Sequence, residues 1–271
     1  MTPYFQPYGG FALLLAGLLL VSIDARAEAT TAAEKGTAIA VEADRRDEGF
    51  GDSRATVEMI LKDRSGRQSV RELRIMTLEI IDPANGDKTM VQFDRPRDIA
   101  GTTLLSFSHF TGDDDQWLFL PALRRVKRIS SHNKSGPFVG SEFSYEDILS
   151  QEHQRYRHRW LRNEPCGSDT CFVLERTPKD SNSGYSRQIV WIDRQHYRPL
   201  RVDYYDRKDA LLKSLHYKAY RRYKERFWRA HEMVMQNRQT GKSTVLRVSN
   251  YEFGVGLTES QFHPSRLRTM R

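Results

Sequence analysis

The chain contains many side chains able to do chemistry, but few sit at spacings that chemistry uses. His231-Glu232 opens a zinc-protease pattern and lacks the second histidine; no Gly-x-Ser-x-Gly nucleophile turn occurs. Gly254-Val255-Gly256 is too short to cradle phosphates and opens no helical pattern. Asp113-Asp114-Asp115 precedes Trp117, but a calcium loop needs alternating ligands, a central glycine and a distal glutamate. The triplet therefore reads as a solvated hairpin tip that resists edge pairing. The eight histidines are scattered, and His153 and His158 fall in charged, surface-like strands. No catalytic residue, metal site or cofactor is expected, and the chain is not read as an enzyme.

Cys166 and Cys171 flank Gly167-Ser168-Asp169-Thr170. Zinc would need two further soft or imidazole ligands nearby, and none stands at motif spacing. A disulfide pinning the turn between strands Gln154–Asn163 and Phe172–Arg176 is expected, provided the compartment is oxidising. Residues 1–27 imply that compartment. Phe11–Ile23 is a short apolar run followed by Ala25-Arg26-Ala27, the pattern of a secretory signal peptide with a small-x-small cleavage site. The run is too short to span a bilayer as a helix, and no cysteine follows it to carry a lipid anchor. The mature protein is expected to be periplasmic and soluble after cleavage, with residues 28–271 as a single domain.

The net charge is +8, and 11% of residues are aromatic. Tyr217–Trp228 interleaves bases with aromatic rings, as RNA-binding segments do. Outside the cytoplasm nucleic acid is not an available partner, so a strand-turn-strand with a basic outer face is the better reading. Anionic lipid head groups, acidic polysaccharide or an acidic protein surface are then the available counter-charges, with peripheral membrane contact among the expectations.

The elements that position these residues are mostly strands. Thr31–Asp47 has helical spacing and is stopped by Gly49-Phe50-Gly51-Asp52. The period then switches to two. Arg54–Asp63, Val70–Ile81, Lys88–Asp94, Thr102–Phe110 and Gln116–Ile129 read as a meander, with Leu73 and Ile75 facing away from Met76, Leu78 and Ile80. Pro137–Ser150 breaks the rhythm and should lie over the sheet. Strands resume at Gln154–Asn163, Cys171–Arg176, Gln188–Asp193, Pro199–Tyr205, Leu211–Arg222, Trp228–Met235 and Ser243–Phe253, and Thr258–Leu267 reads as a short final helix. Trp117–Leu123 is apolar on both faces. An antiparallel strand usually wets one face, so this one must be covered twice, by a second layer, a cavity or both.

Four stretches carry a resemblance. They are Glu42-Ala43-Asp44-Arg45-Arg46 with Gly49-Phe50-Gly51-Asp52; Phe93-Asp94-Arg95-Pro96 through Gly101-Thr102-Thr103-Leu104-Leu105; Asp115 through Leu123 with Arg128-Ile129 and Gly140 through Asp147; and Met235-Gln236-Asn237 through Thr240-Gly241 and Thr244. Together they resemble the outer-membrane lipoprotein-sorting family, the LolA/LolB-like superfamily, in its larger branch. The resemblance implies a mainly β (α+β) fold, a half-open antiparallel β-barrel with a helical lid over an apolar concavity. It implies a carrier that shelters acyl chains of lipoprotein or other lipid-like cargo on the way to the outer membrane. An inner-membrane RND-type transporter is implied as a further partner, with an accessory role in such an exporter as the alternative function. Val57, Met59, Ile75, Val91, Phe93, Leu105, Phe107, Trp117 and Phe119 are the candidates to contact cargo.

Overall fold

The computed structural model describes Met1, residues 16–167 and residues 169–268. Most of the leader expected over residues 1–27 lies outside these; from Ala16 the backbone already belongs to helix α1 (Ala16–Asp47). The helix expected over Thr31–Asp47 is thus the C-terminal part of a longer one. No described helix is long and apolar enough to cross a membrane.

Among the described residues, thirteen antiparallel strands form one open sheet. Strands β1 (Asp52–Lys62), β2 (Gln68–Leu78), β3 (Asn85–Arg95), β4 (Thr103–His109), β5 (Asp115–Leu120) and β6 (Arg125–Ile129) step outward, each pairing with the last. Residues 130–155 then cross to the opposite edge. From there β7 (Tyr156–Cys166), β8 (Asp169–Pro178), β9 (Tyr185–Asp193), β10 (Pro199–Asp206), β11 (Leu211–Tyr223), β12 (Phe227–Asn237) and β13 (Ser243–Phe253) step back until β13 pairs with β1. Val57 meets Leu73 on one side and Val248 on the other, so the two halves share one apolar face at their seam.

The period-two reading holds strand by strand. Val57, Leu73, Val91, Leu104 and Leu118 share the inner face with Val190, Val202 and Leu215. Met76 and Leu78 point to the outer face, opposite Leu73 and Ile75, as the alternation predicts. The stretch read as Gln116–Ile129 is broken in two. Pro121 starts a single 3₁₀ turn and Arg124 takes a left-handed conformation (φ 47°), which turns the chain into the β5–β6 hairpin. The final helix is instead two 3₁₀ turns, the first capped by reciprocal bonds between Thr258 and Gln261.

Both faces of β5 are covered, though not by a cavity on the second side. Leu118 joins the inner core, while Trp117 and Phe119 pack outside with Leu105, Met90, Phe262 and Leu267. The C-terminal turns supply that outer layer. A disulfide joins Cys166 and Cys171 across the β7–β8 turn, as the spacing predicts.

Helix α1 lies against β7, and its seat depends on a missing side chain. A Cβ on Gly36 would fall 2.6 Å from the backbone nitrogen of Trp160. One residue earlier, the Lys35 ammonium sits 3.4 Å from the Trp160 ring centre. Gly36→Ala is therefore expected to push the helix off the sheet and lower stability by about 1–3 kcal/mol, as overpacking does. Urea unfolding of the purified variant checks this; an unchanged midpoint would show that the helix does not rest there.

Candidate functional site

An apolar sheet face must be covered, and here the cover does not fill the space beneath it. Between the inner face, the end of α1 and residues 143–154 lies a hollow of about 1260 Å³. That exceeds the ~300–1,000 Å³ of ordinary small-ligand pockets. Its floor is apolar: Val57, Ile75 and Val91 from the first half of the sheet, Val202, Leu215 and Leu246 from the second. Phe143, Ile148 and Leu149 reach down from the crossover, and Ala40 and Ala43 face in from the helix.

Polar struts hold the crossover above this floor. Asp147 and Lys213, both about nineteen-twentieths buried, pair at 2.6 Å, and Lys213 also donates to the Glu142 carbonyl at 3.0 Å. The Tyr185 hydroxyl donates to the other Asp147 oxygen at 2.8 Å. Glu146 accepts from the Gly184 amide at 2.9 Å and the Ser183 hydroxyl at 3.0 Å, and burial pushes its carboxyl up to about 7. Asn237 and Thr244 of the β12–β13 hairpin bind the Glu142 side chain and amide, and Gln116 of β5 donates to the Tyr145 carbonyl at 2.9 Å. Several of these positions lie in the stretches that carry the family resemblance.

The helix end is fixed in the same manner. Phe50, just after it, packs edge-on against Phe227 and Phe253 at 6.5 and 6.3 Å. Glu79 accepts from the amides of Gly49 and Gly51 at 2.6 Å each. Gly49 and Gly51 both have positive φ (89° and 77°), which glycine takes without strain. Asp44 accepts from the His153 ring at 2.8 Å, and Asp47 pairs with Arg229.

Two readings of polar residues are corrected by these contacts. Asp114 is not a solvated hairpin tip: its buried carboxylate takes a two-pronged bond from Arg155 at 2.5 and 2.6 Å. His153 and His158 are half-buried rather than freely solvated. His153 seats the helix, and His158 lines the hollow, where burial holds its ring down to about 4, hence neutral.

The nine cargo candidates divide by face. Val57, Ile75 and Val91 line the hollow. Met59 and Phe93 share the inner face but belong to its packed part, where the Phe138 ring of the crossover sits 5.6 Å from Phe93. Leu105, Phe107, Trp117 and Phe119 point outward under the C-terminal turns and do not reach the hollow. Pairing of Met90 with Leu105 and of Leu105 with Trp117 sets this register, one residue away from the inward Val91 and Leu104. The second-half lining residues were missed because no face was chosen for those strands. One signal was available: in β8, Phe172, Leu174 and Arg176 alternate onto the inner face, which puts a guanidinium among apolar neighbours.

With this geometry in view, the relatives are informative. An outer membrane lipoprotein-sorting protein domain from Vibrio parahaemolyticus is 54% identical, with 87% of this chain and 99% of that one aligned and a TM-score of 0.85. The chain belongs to the outer-membrane lipoprotein-sorting family. A DUF1329 family protein from Desulfovibrio piger is 32% identical over 87% of this chain and 99% of its own, with a TM-score of 0.82. A LolA superfamily protein from Nitrosomonas europaea, at 19% identity over 84% of this chain and 97% of its own, shares the fold with a TM-score of 0.68. A family model described only as "uncharacterized protein" matches residues 85–269. Among curated proteins the sequence has no match. The expected LolA-like fold is therefore correct, as an open sheet rather than a closed barrel.

At the mouth of the hollow, burial and the neighbouring Glu152 carboxylate raise Asp87 to about 7. Glu79 and Asp47 add smaller repulsion. A carboxyl raised on folding favours the native state while protonated, and that contribution is lost as pH climbs through its folded value. Asp87→Asn, which does not titrate, is expected to match the parent near pH 4 and to gain in relative urea midpoint up to about pH 7. A pH-independent difference would place Asp87 in open solvent.

Proposed function

We propose that this protein is a non-enzymatic periplasmic carrier that shelters acyl chains of lipoprotein or other lipid-like cargo on the way to the outer membrane. The observation that carries the reading is the roofed hollow: an apolar floor left unfilled beneath a cover held up by polar struts. Sheltering an acyl chain of sixteen carbons is worth on the order of ten kcal/mol at ~0.8 kcal/mol per methylene. Release then requires a better acceptor or motion of the cover, since so deep a minimum does not empty unaided.

The family supports this reading, because its Vibrio member is described as a lipoprotein-sorting domain. Residues 1–27 act as the export signal in this account, and residues 28–271 form the single mature domain. Val57, Ile75 and Val91 are the cargo contacts retained from the sequence-based set, joined by Val202, Leu215 and Leu246. The +8 charge brings the carrier to anionic membrane surfaces. Vesicle co-sedimentation insensitive to salt and to anionic lipid would remove that part. An exporter partner is not included in the proposal.

Filling the hollow tests it. Val202→Trp places a large ring on the floor, whereas Phe107→Leu changes the outer cluster. An apolar fluorescent probe, N-phenyl-1-naphthylamine, is expected to bind the parent and Phe107→Leu alike and to lose about tenfold in affinity with Val202→Trp. Equal binding by all three would place the probe elsewhere and reject the hollow as the cargo site.

A further inference from the structure

Among the arginines lining the hollow, Arg176 is half-buried with no carboxylate of the described residues at contact range; Arg71, away from the hollow on the same face, also lacks one and donates to the Val139 carbonyl. Lys134, Lys213, Arg155, Arg198 and Arg229 are each less than a fifth exposed, and each has a carboxylate within 4 Å. Arg176 lines the hollow, and no carboxylate of the described residues pairs with it. Its Nε donates to Gln188 Oε1 at 2.6 Å and one terminal nitrogen donates to Gln151 Oε1 at 3.1 Å. Both partners are neutral, and the group stacks over the Tyr156 ring at 4.5 Å. The side chain is thus fixed in place without being neutralised, and no bond to a protein group occupies its remaining terminal nitrogen.

The rings around Arg176 are neutral. Tyr204 and Tyr217 lie close by, and burial holds both phenols neutral, Tyr217 up to about 12. His158 is neutral as well, so Arg176 is the local positive charge. Three acids lining the hollow have basic partners, while Asp87 and Glu152 stand together at its mouth and one Glu152 oxygen has no partner among the described residues. Asp147 pairs with Lys213, Asp44 with His153 and Asp47 with Arg229, while Glu152 accepts from the Asp87 amide at the mouth. An unpaired charge is costly at such a site, and a planar guanidinium can take both oxygens of a planar carboxylate.

We infer that Arg176 binds the carboxylate of a long-chain fatty acid whose tail lies along the apolar floor. This rests on the carrier reading and narrows its cargo to free acids. Triacylated lipoprotein ends carry no such charge beside their chains.

The test compares ligands that share one tail. The mature chain is titrated at pH 8 with myristate, 1-tetradecanol and tetradecyl phosphate, each displacing N-phenyl-1-naphthylamine. Myristate is expected to bind at least tenfold tighter than the alcohol, about 1.4 kcal/mol, and tighter than the phosphate. Arg176→Gln is expected to erase the preference over the alcohol while keeping the dye affinity, which reports an intact hollow. Arg176→Lys, which restores charge without the fork, should recover part of it. Should neither variant fold, the three-ligand ranking on the parent still decides. Equal binding of acid and alcohol, a preference for the phosphate, or a preference that survives Arg176→Gln overturns the inference while leaving the carrier intact. Failure of dye and every ligand to bind would overturn both.

Discussion

The Asp147–Lys213 pair is the strut on which the site depends. An open sheet with one apolar face would normally be closed by whatever chain lies nearest, packed down until no void remains. Here the chain that crosses from β6 to β7 carries buried charges, and those charges must meet partners on the sheet. Lys213, Tyr185, Ser183 and Gln116 supply them along one border of the hollow. The crossover is thereby tied where its polar groups are satisfied, and the floor beneath it is left unfilled. A polar requirement thus produces an apolar space.

The helix completes the enclosure by a different device. Gly36 allows α1 to touch the β7 backbone, and Phe50 packs edge-on against the stacked Phe227 and Phe253 at the other end. Between those two anchors, Ala40 and Ala43 present small side chains to the hollow, so the helix covers without plugging. The contacts at its tip, Asp44 to His153 and Asp47 to Arg229, are ionic or nearly so and partly exposed. Such contacts are weaker than a packed core.

The two-residue alternation made most of the sheet legible, because a strand with one dry side leaves a periodic record. Leu73 and Ile75 against Met76 and Leu78 were readable for that reason. The face of β4 and β5 was not, since Leu104-Leu105 and Trp117 through Leu120 are apolar at every position. Their register depends on pairing with β3 and on the distant Phe262 and Leu267, neither of which is a local property. Asp114 and His158 misled for a related reason: charged sequence signals solvent only when no partner such as Arg155 arrives from far along the chain. The resemblance succeeded where periodicity failed because several of its polar residues are the ones that hold the crossover to the sheet.

The central claim is that the space beneath the crossover and helix holds a guest with an acyl chain. Native mass spectrometry of the mature protein, incubated with lipid vesicles and separated from them without detergent, tests it most directly. The account predicts one acyl-bearing adduct per chain, absent when the floor is filled by tryptophan at position 202. A bare protein mass after loading, with the fold intact, would contradict it.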